Sequence, residues 1–449
     1  MHLRGLTSAL ALAVVGLTAT SCNWQDVDKD SQNTPVLSLG APDKFGTKDD
    51  FGRIVIPITA PSENDGVAGR FLVSGATGTA LALVELDAAG KSTTTNISSP
   101  AFSGPNMTDG FPLNAIAEIP GPKPGKVLAA AKAIRDGSTV IYTATLGGTF
   151  DGTVVLATDT EAWLGIGVAA GDLKVGDATL PEYVVASPDF IHVYVDGKAD
   201  GALTWPAAVG GTDCPVSLPG GSDPNKIPLS RPILIGHFWG EGTDPQIAFS
   251  TFGSFGAATK GSVSFLSVSA AGLSCLGTLP GAEEDFGQSL GVGDFNGDLK
   301  PDLIVGAPPL KAYVYIGPLA GTSPGIVLPS DPAVATQFGA AVGSINLDGA
   351  GMDMAIVGDP SAPVSGSSQA GTAQLFSFGG SKATPTVTTG MLLAAHDPAA
   401  NAAYGSSVTG LPFCGTCATG SAPRIPVVGA GGRVLTYFTL GKTDLRMKP

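Results

Sequence analysis

Two stretches of the chain share one pattern at a fixed distance along the sequence. Phe286–Pro308 begins with Phe-Gly and ends with Gly-Ala-Pro, and Phe338–Pro360 carries Phe-Gly and Gly-Asp-Pro at the same places, 52 residues further on. A short apolar run precedes the closing glycine in both copies. Self-similarity at such a period is typical of a fold assembled from repeated supersecondary units that bury their cores against one another. This repetition limits the possible fold more than any other feature of the sequence.

The repeated unit is predicted to consist of strands. Its apolar residues form short runs bounded by turn residues and lack the periodicity of a helix. The 449 residues include 63 glycines and 35 prolines, 43% are hydrophobic and only 14% are charged. This composition favours a turn-rich all-β body over a helical or disordered one. The one clear helix candidate is Lys126–Arg135.

An acidic loop inside the first copy has an oxygen-bearing side chain at every second position. Asp294, Asn296 and Asp298 alternate, and Asp302 follows four residues later. Calcium binds six to eight oxygen atoms at about 2.3–2.6 Å in a tolerant geometry. Three carboxylates, one amide and the main-chain carbonyl of Lys300 would supply most of these oxygens. The spacing therefore predicts a hard-cation site, with Ca²⁺ as the expected cofactor.

Two other interpretations of this loop were weighed. An EF-hand is rejected because Gly297 stands one place before Asp298, while Leu299 takes the sixth position, where an EF-hand needs Gly, and Val305 the twelfth, where it needs Glu. An ordinary turn is the simpler alternative, because Asp, Asn and Gly also dominate turns. The additional carboxylate at Asp302 favours the metal site over that alternative.

The Phe-Gly and Gly-Ala-Pro signatures on either side of the acidic loop resemble the FG-GAP repeat of integrin α-subunit β-propellers. The resemblance covers the 23 residues from 286 to 308. It implies that each repeat forms one propeller blade and that the loop binds calcium. The side-chain ligands that it implies are Asp294, Asn296, Asp298 and Asp302.

The second copy has lost part of this ligand set. Asn346 and Asp348 match the first two positions, but Ala350 and Met354 replace the last two carboxylates, and Asp353 is one residue out of register. We therefore expect no metal in the second loop.

Fainter copies bring the predicted number of blades to six or seven, and the integrin resemblance favours seven. Candidate strand pairs occur at Arg70–Val84, Val140–Ala157, Glu182–Val195, Ile235–Phe249 and Tyr404–Gly431. The segment Ser98–Gly125 fits no periodic pattern. The predicted fold is an all-β, seven-bladed (alternatively six-bladed) β-propeller of FG-GAP-type repeats, clearest at 286–308 and 338–360.

The N-terminal segment Met1–Cys22 is typical of a secretory signal peptide. Arg4 precedes the apolar stretch Leu6–Leu17, which is shorter than the ~20 residues a membrane-spanning helix needs. The residues before Cys22 resemble a bacterial lipobox, although Ala19 stands where that family usually has Leu. This implies that Cys22 is lipidated, with ordinary signal-peptide cleavage at the same bond as the alternative.

The predicted organisation is a signal peptide at 1–21, a flexible tether at 22–34 and a propeller at 35–449. Lipidation of Cys22 leaves an even number of cysteines, as expected in an oxidising compartment. Candidate disulfides join Cys414 to Cys417 and Cys214 to Cys275, although spacing alone does not fix the connectivity. The expected location is the bacterial cell envelope, as a membrane-anchored lipoprotein; a periplasmic or secreted protein is the alternative.

Candidate catalytic motifs are weak. Ser289 lies in a G-x-S-x-G pattern, but an acidic loop follows it instead of the helix that a nucleophile elbow requires. His192, His237 and His396 have no partner at a spacing typical of zinc motifs. No catalytic residue is therefore predicted.

The resemblance to integrin propellers implies a binding protein, and the charge excludes some classes of partner. The formal net charge of −14 repels phosphate backbones and anionic lipids, so we expect no nucleic-acid partner and no membrane contact except through the anchor. The leading hypothesis is a monomeric, calcium-binding, non-enzymatic platform for a protein or glycan ligand. The alternatives are a secreted hydrolase or lyase, with His237, Glu241 or Asp244 as candidates, and a purely structural envelope lipoprotein.

Overall fold

The structure is a computed structural model. It describes residues 36–40, 51–59, 66–74, 80–98, 113–121, 125–132, 139–146, 153–158, 164–198, 202–205, 214–215, 231–251, 260–283, 285–321, 323–330, 335–347, 349, 351–395, 400–413 and 422–437. The signal peptide and tether with Cys22, the pair Cys414 and Cys417, and Asp348 lie outside the described residues.

Seven antiparallel sheets of four strands each form the blades of a β-propeller, which confirms the predicted fold and the choice of seven blades. Blade 1 contains β2 (Ile54–Ile58), β3 (Val67–Ser74), β4 (Ala80–Asp87) and β5 (Ser92–Ser98). Blade 2 contains β6 (Leu113–Ile119), β7 (Lys126–Lys132), β8 (Thr139–Thr145) and β9 (Thr153–Thr158). Blade 3 contains β10 (Gly167–Gly171), β11 (Glu182–Ala186), β12 (Ile191–Tyr194) and β13 (Leu203–Trp205).

The remaining blades follow in chain order. Blade 4 contains β14 (Ile233–Gly236), β15 (Gln246–Thr251), β16 (Ser262–Ser269) and β17 (Gly272–Pro280). Blade 5 contains β18 (Ser289–Gly293), β19 (Asp302–Ala307), β20 (Lys311–Tyr315) and β21 (Ile326–Pro329). Blade 6 contains β22 (Ala341–Ile345), β23 (Met354–Asp359), β24 (Thr372–Gly380) and β25 (Pro385–Leu393). Blade 7 contains β26 (Ser407–Pro412), β27 (Arg424–Ala430), β28 (Arg433–Tyr437) and β1 (Val36–Gly40).

The ring is closed by both ends of the described chain. The first strand of every blade contacts the first strands of its two neighbours, including β26 against β2. β1 pairs antiparallel with β28, Val36 opposite Tyr437, so the N-terminal strand is the outermost strand of a blade otherwise built from the C-terminal region. Buried apolar clusters fill the spaces between neighbouring blades.

Aromatic-glycine signatures precede the first strands of blades 5, 6 and 7. The aromatic residues of Phe286-Gly287, Phe338-Gly339 and Tyr404-Gly405 are buried, and each glycine has a φ of 87 to 97°. Each glycine N–H donates to a carbonyl in the second strand of its own blade, as Gly339 does to Gly358 at 3.0 Å. Because the backbone turns there in the left-handed region, glycine is strongly preferred at this position.

At three interfaces between described blades, the carbonyl of such a glycine packs against a glycine in the second strand of the preceding blade. A Cβ built on Gly306 would lie 2.0 Å from the Gly339 oxygen, and one built on Gly429 would lie 1.9 Å from the Gly52 oxygen. Ser289 Oγ also donates to the Gly339 carbonyl at 2.8 Å. The serine of the G-x-S-x-G pattern thus contributes a hydrogen bond between blades.

The predicted helix at Lys126–Arg135 is wrong, because Lys126–Lys132 forms β7. β7 lies between β6 and β8, and Val127, Leu128 and Ala129 are fully buried. Helix propensity is a weak preference that tertiary burial on both sheet faces overrides. β6 at Leu113–Ile119 lies in the segment that had no assignment from the sequence.

The contact that joins blade 7 to blade 1 can be tested with Gly429→Ala. Its methyl group would meet the Gly52 carbonyl, and overpacking of this kind costs roughly 1–3 kcal/mol. Gly121→Ala is the control, because no atom of the described residues lies within 4 Å of a Cβ at Gly121. We expect urea unfolding to show a clear loss in the free energy of unfolding for Gly429→Ala but not for Gly121→Ala. Equal effects of the two substitutions would contradict the packing argument.

Candidate metal centre

The acidic loop joins β18 to β19 in blade 5. Gly293 at the end of β18 pairs with Asp302 at the start of β19, so residues 294–301 leave and rejoin the sheet at one rung of the ladder. This connection brings the predicted ligands together within one short loop.

Asp302 is the buried carboxylate of the set. Its side chain is fully buried; Oδ1 accepts the Gly317 N–H at 2.7 Å and Oδ2 accepts the Phe295 N–H at 2.8 Å. Burial raises the pKa of Asp302 to about 7, and the charges of Asp298 and Asp294 add to this while the two N–H donors oppose it. Three carboxylates therefore lie near one another in a place where negative charge is unfavourable.

Asp294 organises the turn. Its Oδ1 accepts the N–H groups of Gly297 at 2.7 Å and Asp298 at 3.1 Å, and its Oδ2 accepts the Leu299 N–H at 2.8 Å. Short polar side chains commonly bond the backbone just ahead of them in this manner. The same bonds would form in an ordinary turn, so they do not by themselves indicate a metal.

The other predicted ligands are also bonded to the loop backbone. Asn296 is buried; its Nδ2 donates to the Lys382 carbonyl at 2.9 Å, and its Oδ1 accepts the Asp298 N–H at 3.0 Å. Asp298 Oδ1 accepts the Lys300 N–H at 2.8 Å. Each of these oxygens retains a lone pair after a single hydrogen bond.

No cationic side chain of the described residues forms an ion pair with Asp294, Asp298 or Asp302. Lys300, the nearest lysine in sequence, instead pairs with Glu241 of blade 4 at 3.1 Å. Within the described ranges, no three His, Cys, Asp or Glu side chains form a ready-made metal cluster. The donor set fits a calcium ion in its chemistry, because every donor is a hard oxygen and the carboxylates have no countercharge.

Blade 4 provides an internal comparison for Asp302. Gln246 occupies the position equivalent to Asp302. It is the first residue of β15, the second strand of the blade, and pairs with Gly236. Its Oε1 accepts the N–H groups of Phe238 at 3.1 Å and Trp239 at 2.6 Å. A neutral amide thus holds this loop in place, so capping the backbone does not require the negative charge of Asp302.

Blade 3 has Glu182 at the same position, paired with Gly171. Its Oε2 accepts the Leu173 N–H at 2.6 Å. Burial raises the pKa of Glu182, and the charges of Asp172 and Asp196 raise it further against the effect of the hydrogen bonds. The second strands of blades 3, 4 and 5 therefore all begin with a polar side chain that bonds the loop before it.

A cation from blade 7 neutralises the second copy of the repeat. Asp353 is buried and forms an ion pair with Arg424, the first residue of β27 in blade 7. Its Oδ1 accepts from Asn346 Nδ2 at 2.9 Å, and its Oδ2 accepts the N–H of Asp294 in blade 5 at 2.8 Å. A guanidinium thus neutralises the carboxylate that lay out of register, and the expected lack of metal there stays a prediction.

Sequence reasoning missed the role of Asp353 and Arg424. Seventy-one positions separate them in the sequence, and only the ring of blades brings blade 7 beside blade 6. The one available signal was an aspartate in an otherwise degraded loop, which does not identify its partner.

The other candidate residues are dispersed. Glu241 and Asp244 are exposed and pair with Lys300 and Lys174 respectively, and His237 is exposed on the same loop. His192 Nδ1 shares a hydrogen bond with Thr204 Oγ1 at 3.0 Å. Cys214 and Cys275 are joined by a disulfide.

Comparison with known proteins identifies the repeat. The model of the FG-GAP repeat family matches residues 286–316, which include the acidic loop and the strands on both sides of it. No curated protein matches the sequence. The crystal structure of BBS1N in complex with ARL6DN, soaked with lead, contains a similar chain: the similarity covers 90% of this chain and 97% of that chain, with 11% sequence identity and a TM-score of 0.47. The protein therefore contains an FG-GAP repeat within a seven-bladed β-propeller.

The pairing of Asp353 with Arg424 predicts a loss of stability in Arg424→Met. Removing one partner of a fully buried pair costs roughly 3–5 kcal/mol. We expect about 2–3 kcal/mol in urea unfolding, because the Arg424 side chain is 32% exposed. Adding Asp353→Asn should recover part of the loss, since an amide needs no countercharge; simple additivity of the two substitutions would contradict the pairing.

The raised pKa of Asp302 predicts that the stability of the metal-free protein depends on pH. Because folding raises this pKa from 3.8 to about 7, the folded chain holds a proton that the unfolded chain releases within this interval. The carboxyl group therefore makes the free energy of unfolding fall as the pH rises from 3.8 to about 7. In EDTA, we expect the parent to lose stability between about pH 5 and pH 7.5 relative to Asp302→Asn, whereas parallel pH profiles would contradict the raised pKa.

Proposed function

We propose that this protein is an exported, lipid-anchored β-propeller, stabilised by calcium, that serves as a non-enzymatic binding or adhesion platform for a protein or glycan. The observation that carries the proposal is the β18–β19 loop. It gathers three carboxylates and an amide oxygen without an ion pair to any described cationic side chain.

In this proposal the ion is held by the side chains of Asp294, Asn296, Asp298 and Asp302 and by the Lys300 carbonyl. When bound, calcium supplies positive charge to a region where burial and mutual repulsion disfavour carboxylates. Asp294 is also bonded through its backbone to Asp353, its carbonyl accepting the Asp353 N–H at 2.7 Å. Fixing the loop therefore also supports the contact between blades 5 and 6.

Export is supported by the N-terminal sequence pattern and by the cysteines. The disulfide between Cys214 and Cys275 is typical of oxidising compartments. β1 begins at Val36, two residues after the predicted tether ends, on the outer edge of blade 7. A lipid on Cys22 would thus hold the ring by its rim and leave both of its faces accessible. In the part of the chain that the structure describes, no helix has the length and apolar character to cross a bilayer.

A binding role is supported by the fold, in which connections between strands form two broad faces, and by the acidic net charge of −14. A fold does not select a ligand, so the proposal of a protein or glycan ligand rests on the integrin resemblance alone. We expect a monomer, because the seven blades close upon themselves.

Calcium titration of the mature chain tests the metal. A bound ion stabilises the native state by RT ln(1 + [L]/Kd), about 2.7 kcal/mol at a hundredfold excess over Kd. We expect calcium to raise the melting temperature of the parent but not of Asp298→Ala, which lacks one proposed ligand. Among the described residues, the Asp298 side chain otherwise accepts one hydrogen bond, from the Lys300 N–H.

Asp87→Ala is the matched control. Asp87 Oδ1 accepts the N–H groups of Ala89 at 2.9 Å and Lys91 at 2.8 Å, so it supports a turn as Asp298 does, in blade 1. The control should keep the full calcium response. No response in the parent, or an undiminished one in Asp298→Ala, would overturn the calcium proposal.

A further inference from the structure

The first half of the β18–β19 loop packs on blade 6. Phe295 is fully buried, and its ring lies against that of Phe378 in β24, with the ring centroids 5.0 Å apart. Asn296 Nδ2 donates to the carbonyl of Lys382, in the connection between β24 and β25, at 2.9 Å. A loop that belongs to blade 5 by sequence is therefore held in place by the next blade.

Asp294 is joined to blade 6 by two hydrogen bonds of its backbone. Its N–H donates to Asp353 Oδ2 at 2.8 Å, and its carbonyl accepts the Asp353 N–H at 2.7 Å. The Asp294 carboxylate accepts the N–H groups of Gly297, Asp298 and Leu299, so the position of its backbone determines where the turn lies. Asp353 thus holds the residue that organises the whole loop.

Asp353 is in turn held by blade 7. Its side chain is 4% exposed and forms the ion pair with Arg424. The Arg424 backbone exchanges two hydrogen bonds with the Asn346 backbone, at 3.0 and 2.6 Å, and its Nη1 donates to Ser344 Oγ at 3.2 Å. Because a buried carboxylate without its cation is strongly unfavourable, Arg424 keeps Asp353 where it accepts the Asp294 N–H.

The contact of the loop with blade 4 is of a different kind. Lys300 pairs with Glu241 at 3.1 Å, but the two side chains are 50% and 78% exposed. Ion pairs with this degree of exposure contribute little to stability. The buried contacts of the loop described above lead instead to blade 6 and, through Asp353, to blade 7.

From these contacts we infer that Asp353 and Arg424 are positioning residues of the β18–β19 loop, so that an arginine of blade 7 sets the affinity of blade 5 for calcium. The calcium part of this inference rests on the proposed function. Neither residue is a ligand: Arg424 acts through Asp353, and Asp353 acts through the backbone of Asp294. By linkage, an ion bound in the loop stabilises the contact of the three blades as much as that contact favours binding.

Charge and position predict opposite results for Arg424→Met. The substitution removes a positive charge, so Coulomb attraction alone would make calcium bind more tightly. Loss of positioning makes binding weaker, and removing the residues that orient metal ligands typically costs 10- to 100-fold in affinity. We therefore expect the Kd for Ca²⁺, measured by isothermal titration calorimetry on the mature chain, to rise about 10-fold in Arg424→Met. Arg424→Lys retains the charge and should lie closer to the parent.

Amide hydrogen exchange in EDTA tests the positioning without calcium. The N–H groups of Gly297, Asp298 and Leu299 all donate to the Asp294 carboxylate. Such amides exchange when the turn opens locally. We expect these three amides to exchange faster in Arg424→Met than in the parent, because the backbone of Asp294 is no longer held by an oriented Asp353.

Two controls separate this local effect from a general loss of stability. The N–H groups of Ala89 and Lys91 donate to Asp87 in blade 1 and should keep the parental exchange rate in Arg424→Met. Global unfolding would accelerate exchange in both turns alike. Glu241→Gln is the matched control variant, because it breaks the exposed pair on the blade 4 side and should leave the loop amides unchanged.

The outcomes are distinguishable. If the loop amides of Arg424→Met exchange at the parental rate in EDTA, or are accelerated only as much as the turn in blade 1, the inference fails whatever calcium does. If Arg424→Met binds calcium as tightly as the parent or more tightly, the affinity part fails while the calcium site stands. If the parent binds no calcium, the proposed function fails, and amide exchange alone decides whether Arg424 positions the loop.

Discussion

The propeller depends on the close approach of a glycine carbonyl in one blade to a glycine in the second strand of the preceding blade. Gly339 against Gly306 and Gly52 against Gly429 leave no room for a Cβ atom. The same contact is therefore present inside the ring and at its closure between blades 7 and 1. There β1 belongs to blade 7, and Gly52 precedes the first strand of blade 1. Because each blade buries its core against its neighbours, the ring requires this spacing to be kept at the interfaces where two glycines meet in this way.

One interface uses different chemistry for the same purpose. At the junction of blades 3 and 4, Arg231 is fully buried and donates to the carbonyls of Ser187 and Ser250, both at 2.8 Å. The guanidinium hydrogen-bonds main-chain oxygens of both blades. It thereby joins them at an interface that lacks the aromatic-glycine pair. The loops vary in a similar way: the position of Asp302 is occupied by a neutral amide at Gln246, and the carboxylate of Asp353 is neutralised by Arg424.

How much of the fold and of the candidate site could be predicted from the sequence depended on how far apart the contacting residues lie along the chain. The repeats at 286–308 and 338–360 were visible because strand, loop and strand are local. Two more turns of this kind, Phe51-Gly52 and Leu164-Gly165, were not predicted from the sequence. In the structure both glycines have positive φ, at 94° and 86°. Two common residues are too little signal on their own. The helix assigned at Lys126–Arg135 failed because its alanines suit a helix locally, while burial between two strands decided otherwise.

The sequence by itself determined the all-β class, the repeated blade and the order of oxygen donors in the β18–β19 loop, because alternation, turn residues and side-chain spacing act over a few residues. Only the tertiary structure decided how the ring closes, with β1 beside β28, and which charges meet, as Asp353 meets Arg424. These contacts join residues far apart in the chain, and their energies depend on burial and on strand register. Neither quantity exists until the blades have packed together.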